Sequence, residues 1–99
     1  MNTSPRKNTH FVDCLCLISE AETMEAVLSA VLTQKEIKEI ENRLQIFEML
    51  SKHIPQRDIA ASLGVGIATV TRGARAMREG QFDVLAKYLS KVKNSPSLE

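Results

Sequence analysis

The 99-residue chain has no tryptophan and only four aromatic residues, three Phe and one Tyr. Leu, Ile, Val, Met and Ala must therefore build its core, which is thin for an isolated chain of this length. Helices that complete their core against a second copy would make up the shortage. Gly and Pro are scarce, at four and three, and strand-like alternation is absent, so the period of 3.6 dominates and the reading is all-α. No apolar run approaches the roughly 20 residues that cross a bilayer. The polar start Met1–Thr9 lacks the pattern of a secretory signal, so a cytoplasmic protein is expected. The two cysteines, Cys14 and Cys16, are too close in sequence for an unstrained disulfide. They stand about 200° apart on a helix, which argues against chelation together with His10. Free thiols in a packed helix are expected. Neither a Ser/His/Asp arrangement nor a phosphate-cradling glycine loop occurs, and no enzyme is expected.

What is present is uneven. An apolar content of 43% is ordinary for a folded protein. The net charge of +1 conceals two halves. Met1 to Met49 carries five Lys/Arg against eight Asp/Glu, whereas Leu50 to Lys93 carries eight against three. One side suited to a polyanion follows from that asymmetry.

The periodicity predicts six helices. The first covers His10 to Ser19, with Phe11, Val12, Leu15 and Ile18 on one stripe, and the second Glu22 to Leu32. Thr33 with Glu36 three residues later forms a capping box for a long third helix, Gln34 to Lys52, with a stripe through Ile37, Ile40, Leu44 and Phe47. Ile54-Pro55 ends it, and His53 caps that end. A short helix, Gln56 to Leu63, stops at Gly64, and Gly64-Val65-Gly66 turns into a helix from Ile67 to Arg78. Gln81 to Lys91 forms the last. Residues 1–9 are expected to be a disordered arm, 10–93 one helical domain and 94–99 a flexible tail.

The run QRDIAASLGVGIATVTRGAR, Gln56 to Arg75, fits a helix-turn-helix position by position. Ile59 and Leu63 face the core, Ala60 is small where two helices meet, and Gly64 supplies a positive φ. Val65 and Val70 plug the core from the turn and from beneath the second helix. That helix is then free to present Gly66, Ile67, Ala68 and Thr71 to a major groove, Ile67 and Ala68 toward thymine methyls. Gln56 and Arg57 stand where phosphate or guanine contacts are made, and Arg75 and Arg78 suit the flanking backbone. A helical hairpin in a bundle, with Gly64 as a plain C-cap, is the alternative reading of the same spacing.

Through LTQKEIKEIENRLQIFEML and especially GVGIATVTRGAR, the stretch from Val31 to Arg78 resembles the Trp repressor family. The resemblance covers about half the chain directly, and the helix order extends it to nearly all. It implies an intertwined homodimer of six-helix subunits that places Ile67 to Met77 in the major groove of a palindromic operator and represses transcription. It also implies a pocket for L-tryptophan between Arg43 and Arg72, with Leu32 and Thr33 contributed by the partner subunit and Gly73 leaving a gap for a flat ring. Two guanidinium planes can sandwich an indole, and Arg72 can hold the carboxylate.

This chain departs from the family pattern at three points. One residue is missing before Pro55, the family's basic residue in the first motif helix is Ala60, and its serine that receives the amino group is Ala76. Losing one charge-assisted hydrogen bond costs on the order of 1.5–3 kcal/mol. An indole acid without the ammonium, or no small ligand, stays open beside tryptophan. So do a surface pair of Arg43 with Glu36 or Glu39 and a phosphate contact for Arg72. A ligand-independent DNA-binding piece of replication or transposition machinery, and a dimeric protein-interaction module, are the other functional readings.

Overall fold

The computed structural model describes residues 9–93, as six α-helices in two compact units that divide within the third helix, after Lys38. The expected arm at 1–9, apart from Thr9, and the tail at 94–99 lie outside the described residues.

In the first unit, α1 spans His10–Cys16 and α2 Ala21–Val31. The first helix is shorter than its periodicity predicts: it closes on Leu17, whose N–H bonds the Cys14 carbonyl at 3.1 Å. Its apolar stripe is open, with Phe11 and Val12 exposed and Leu15 and Ile18 half-buried. Cys14 and Cys16 are therefore exposed free thiols, not the packed ones expected. The Thr33–Glu36 capping box forms as predicted: the Glu36 N–H donates to Thr33 Oγ1 at 3.0 Å and the Thr33 N–H to Glu36 Oε1 at 2.8 Å. It starts α3, Gln34–Ser51.

The second unit holds the remainder of α3 with α4 (Gln56–Leu63), α5 (Ile67–Arg78) and α6 (Gln81–Lys93). Its core is small. Ile46 of α3, Ile59 of α4 and Val70 of α5 are sealed from solvent, and Met49, Leu50, Ile54, Ala60, Leu63 and Val65 pack around them. Phe47 reaches Phe82 of α6 with ring centroids 5.0 Å apart, within the range of favourable aromatic pairs. α5 packs against both α4 and α6.

Two helices end by the same device. At the end of α3, His53 takes φ 63° and the Ile54 N–H reaches back to the Met49 carbonyl at 3.1 Å. At the end of α4, Gly64 takes φ 69° and the Val65 N–H reaches the Ala60 carbonyl at 3.1 Å. Both are Schellman closures, which need a left-handed residue just past the helix. His53 thus serves the cap through its backbone. A Cβ at Gly64 would meet nothing within 4 Å, so the demand there is purely conformational. Gly64→Ala should cost about 1–2 kcal/mol, a fall of several degrees in melting temperature by circular dichroism. Gly64→Asn should lose much less, because Asn tolerates this conformation. Equal losses for the two would disprove the backbone origin.

Candidate nucleic-acid interface

α4, the Gly64–Gly66 turn and α5 form the helix-turn-helix at the predicted residues. Pro55 opens α4 as its N-cap residue, its carbonyl accepting the Asp58 and Ile59 N–H groups at 3.0 Å each. Burial then sorts the motif into two faces. Ile59 and Val70 lie beneath, fully buried, with Leu63 and Val65 half-buried beside them. Arg57, Gly66, Ala68, Thr71, Arg72, Arg75 and Arg78 are exposed, and Ile67 keeps 52% of its surface open. The exposed face of the motif thus carries four arginines, the basic footprint that a polyanion-binding surface requires.

The start of α5 is bare. Gly66 is its N-cap at φ −72°, with no side-chain cap bond to the first N–H groups, and a Cβ there would meet nothing within 4 Å. Neither strain nor crowding within the chain calls for glycine at 66. What its small size provides is close approach of a helix N-terminus to an anion such as phosphate.

Two of the expected reading residues are linked. The Thr71 hydroxyl donates toward Gln56 Oε1 at 2.9 Å and toward the Ile67 carbonyl at 3.0 Å, tying the first residue of α4 to the second turn of α5. Nothing in the spacing announced that bond. Arg75 places Nε 3.2 Å from Glu79 Oε2, an exposed i,i+4 pair worth a few tenths of a kcal/mol; it leaves Arg75 easily drawn to a stronger partner.

The expected pocket residues fall less neatly. Gly73 is buried, and the position of its absent Cβ lies 2.7 Å from Ile46 Cγ2. The place a side chain would take is occupied by α3, so glycine here lets two helices touch. That contact sits one turn along α3 from the exposed Arg43 and one residue from the exposed Arg72, with half-buried Ala76 one turn further along α5. Among the described residues neither arginine has an ion-pair partner, so the pairing of Arg43 with Glu36 or Glu39 does not form. Leu32, half-buried, and Thr33, exposed, belong to the first unit, where Thr33 is occupied in the capping box. No group of His, Cys, Asp and Glu among the described residues could hold a metal ion, and none of the described helices is long and apolar enough to cross a membrane.

The family described as "Trp repressor protein" matches residues 7–93. This chain belongs to the Trp repressor family. The family is one of DNA-binding regulators, not of enzymes. Curated relatives agree. The chain is 32% identical over 81 residues to a Trp operon repressor homolog of Xylella fastidiosa (strain 9a5c), covering 80% of this chain and 88% of the relative. It is 33% identical to that of Vibrio cholerae over 81% and 79% of the two chains. With the homolog of Mannheimia succiniciproducens it shares 35% over 71% and 70%. No solved structure matches.

Proposed function

We propose that the protein is a sequence-specific transcriptional repressor that binds a palindromic operator as a homodimer, with residues 10–93 acting as one DNA-binding and dimerising domain. The observation that carries this is the sorting of α5: Val70 is locked in the core while Ile67, Ala68 and Thr71 of the same helix stand free. A helix held rigid from beneath, with small side chains at its N-terminal end, can enter a major groove without reorganising. Gln56 and Arg57 meet phosphate or guanine, Gly66 admits the backbone, Ile67, Ala68 and Thr71 lie along the reading face, and Arg75 and Arg78 hold flanking phosphates. Two such heads would span one helical turn, roughly 34–36 Å.

In this reading an indole-type or tryptophan-like corepressor lies between Arg43 and Arg72, beside Leu32 and Thr33 of the second subunit. Two exposed guanidinium groups, without ion-pair partners among the described residues, stand one turn and one residue from the Ile46–Gly73 contact and support it. Ala76 offers no hydroxyl to an ammonium, which favours an indole acid over tryptophan itself.

Selection of DNA sites from a random pool, run with and without tryptophan, indole-acetate and indole-propionate, tests both parts. A salt-sensitive palindromic site establishes the repressor reading, and its dependence on one of the three ligands establishes the corepressor. Tight binding without ligand, together with no calorimetric heat from any of them, would remove the corepressor and leave a ligand-independent DNA-binding protein. Arg57→Ala should weaken the selected site while leaving the thermal melt unchanged, since Arg57 is exposed. Each lost phosphate contact lowers the slope of log affinity against log salt by about 0.9, so the dimer should lose nearly two. An unchanged slope would place Arg57 off the DNA.

A further inference from the structure

We propose that Gln56 presents its amide NH2 rather than its carbonyl to its target, because the bond to Thr71 turns the carbonyl toward α5, and that the pair thereby favours guanine over adenine. The inference rests on the DNA-binding reading and deepens it to a base preference.

A glutamine amide carries one acceptor oxygen and an NH2 group with two donors. Left free, it can meet adenine with both ends at once, donating to N7 and accepting from N6. Here the oxygen is engaged: Thr71 Oγ1 stands 2.9 Å from Gln56 Oε1. The amide is planar, so with its oxygen turned to α5 the NH2 group is the end left for an incoming duplex. The Thr71 hydroxyl has one proton and a second acceptor, the Ile67 carbonyl at 3.0 Å. The two oxygens share that one proton, which keeps Thr71 Oγ1 between them at the base of the α5 reading face. Gln56 is itself half-buried, which restrains it from swinging to another arrangement. An NH2 group presented to a major groove matches guanine best, because N7 and O6 give it two acceptors; adenine N7 and thymine O4 give one each, and the amino groups of adenine and cytosine oppose it. Thr71 is in this sense a positioning residue for Gln56, whatever contact it makes on its own account.

Site selection with four proteins tests the idea: wild type, Gln56→Ala, Thr71→Ser and Thr71→Val. The expected result is one position per half-site whose preference vanishes in Gln56→Ala. There the wild type selects guanine, and Thr71→Ser, which keeps the hydroxyl, does too. Thr71→Val frees the carbonyl and should shift that position toward adenine by roughly tenfold, since one bidentate pair discriminates by about 1–3 kcal/mol. A merely structural brace between the helices would lower stability without changing the base chosen. Guanine retained in Thr71→Val, any base other than guanine chosen by the wild type, or no base position altered in Gln56→Ala would each overturn the proposal. Should Thr71→Val melt abnormally, Thr71→Ala removes the same hydroxyl with less bulk. No salt-sensitive shift from the wild type on any pool would overturn the DNA-binding reading itself, an outcome distinct from all of these.

Discussion

Gly73→Val is expected to destabilise the protein by about 3 kcal/mol or more and to take DNA binding down with it. The position that a Cβ would occupy is 2.7 Å from Ile46 Cγ2, far inside the 3.5–4.0 Å at which carbon atoms attract. Ile46 is 1% exposed and lies on a helix, where a β-branched side chain has one strongly preferred rotamer and little room to swing away. Gly73→Ala sets two effects against each other. Alanine gains up to about 1 kcal/mol of helix propensity, while forcing the helices apart costs about 1–3 kcal/mol. The clash should win, with a net loss of about 1 kcal/mol. Ile46→Ala removes the colliding methyl, so its combination with Gly73→Ala should cost less than the two single changes added together. Urea melts of the four proteins decide the matter. A Gly73→Ala variant more stable than wild type would show that α3 can retreat, and that this glycine is not there to let the helices touch.

Ile59→Ala should cost about 2–5 kcal/mol, a large share of the roughly 5–15 kcal/mol that holds a domain folded. Ile59 is fully buried from α4, in contact with a sealed cluster that otherwise contains only Ile46 and Val70. How far the partly buried Met49, Leu50, Ile54, Leu63 and Val65 around it relax into the cavity sets the place within that range. The denaturation midpoint should fall with an unchanged m-value. The sign of a purely structural role is that the folded fraction, measured on cooling, still binds DNA with wild-type affinity. Arg57→Ala should behave in the opposite way, folding normally and binding poorly. A loss under about 1 kcal/mol for Ile59→Ala would mean that the helix-turn-helix is supported from elsewhere.

The parts of the fold that were legible in the sequence are those written in local chemistry. Pro55, Gly64 and Gly80 punctuate the chain, and the bounds of α4 and the whole of α5 follow them. Thr33 and Glu36 announce the start of α3 by a reciprocal bond between near neighbours. Where punctuation is missing, the reading overshoots. Nothing between Cys16 and Ser19 signals a stop, and α1 ends there all the same. Periodicity found the stripe of α3 without ranking it: Ile40 is 47% exposed, while Ile46 is 1% exposed. The Ile46–Gly73 approach and the Gln56–Thr71 bond join residues far apart in the chain. Both depend on how helices meet, which spacing along one helix does not encode. The reading residues could be named from the motif; the constraint each places on another could not.

The glycines of the motif answer to different masters. Gly64 is fixed by its dihedral angle and Gly73 by a neighbouring methyl, but Gly66 has an ordinary φ and empty space around it. A lineage that changes residue 66 therefore meets no barrier in foldability, and on the function proposed above only the fit to DNA changes. Retargeting to a new operator can proceed there by single steps through folded intermediates. At 64 or 73 the same drift would pass through less stable intermediates, by the margins given above.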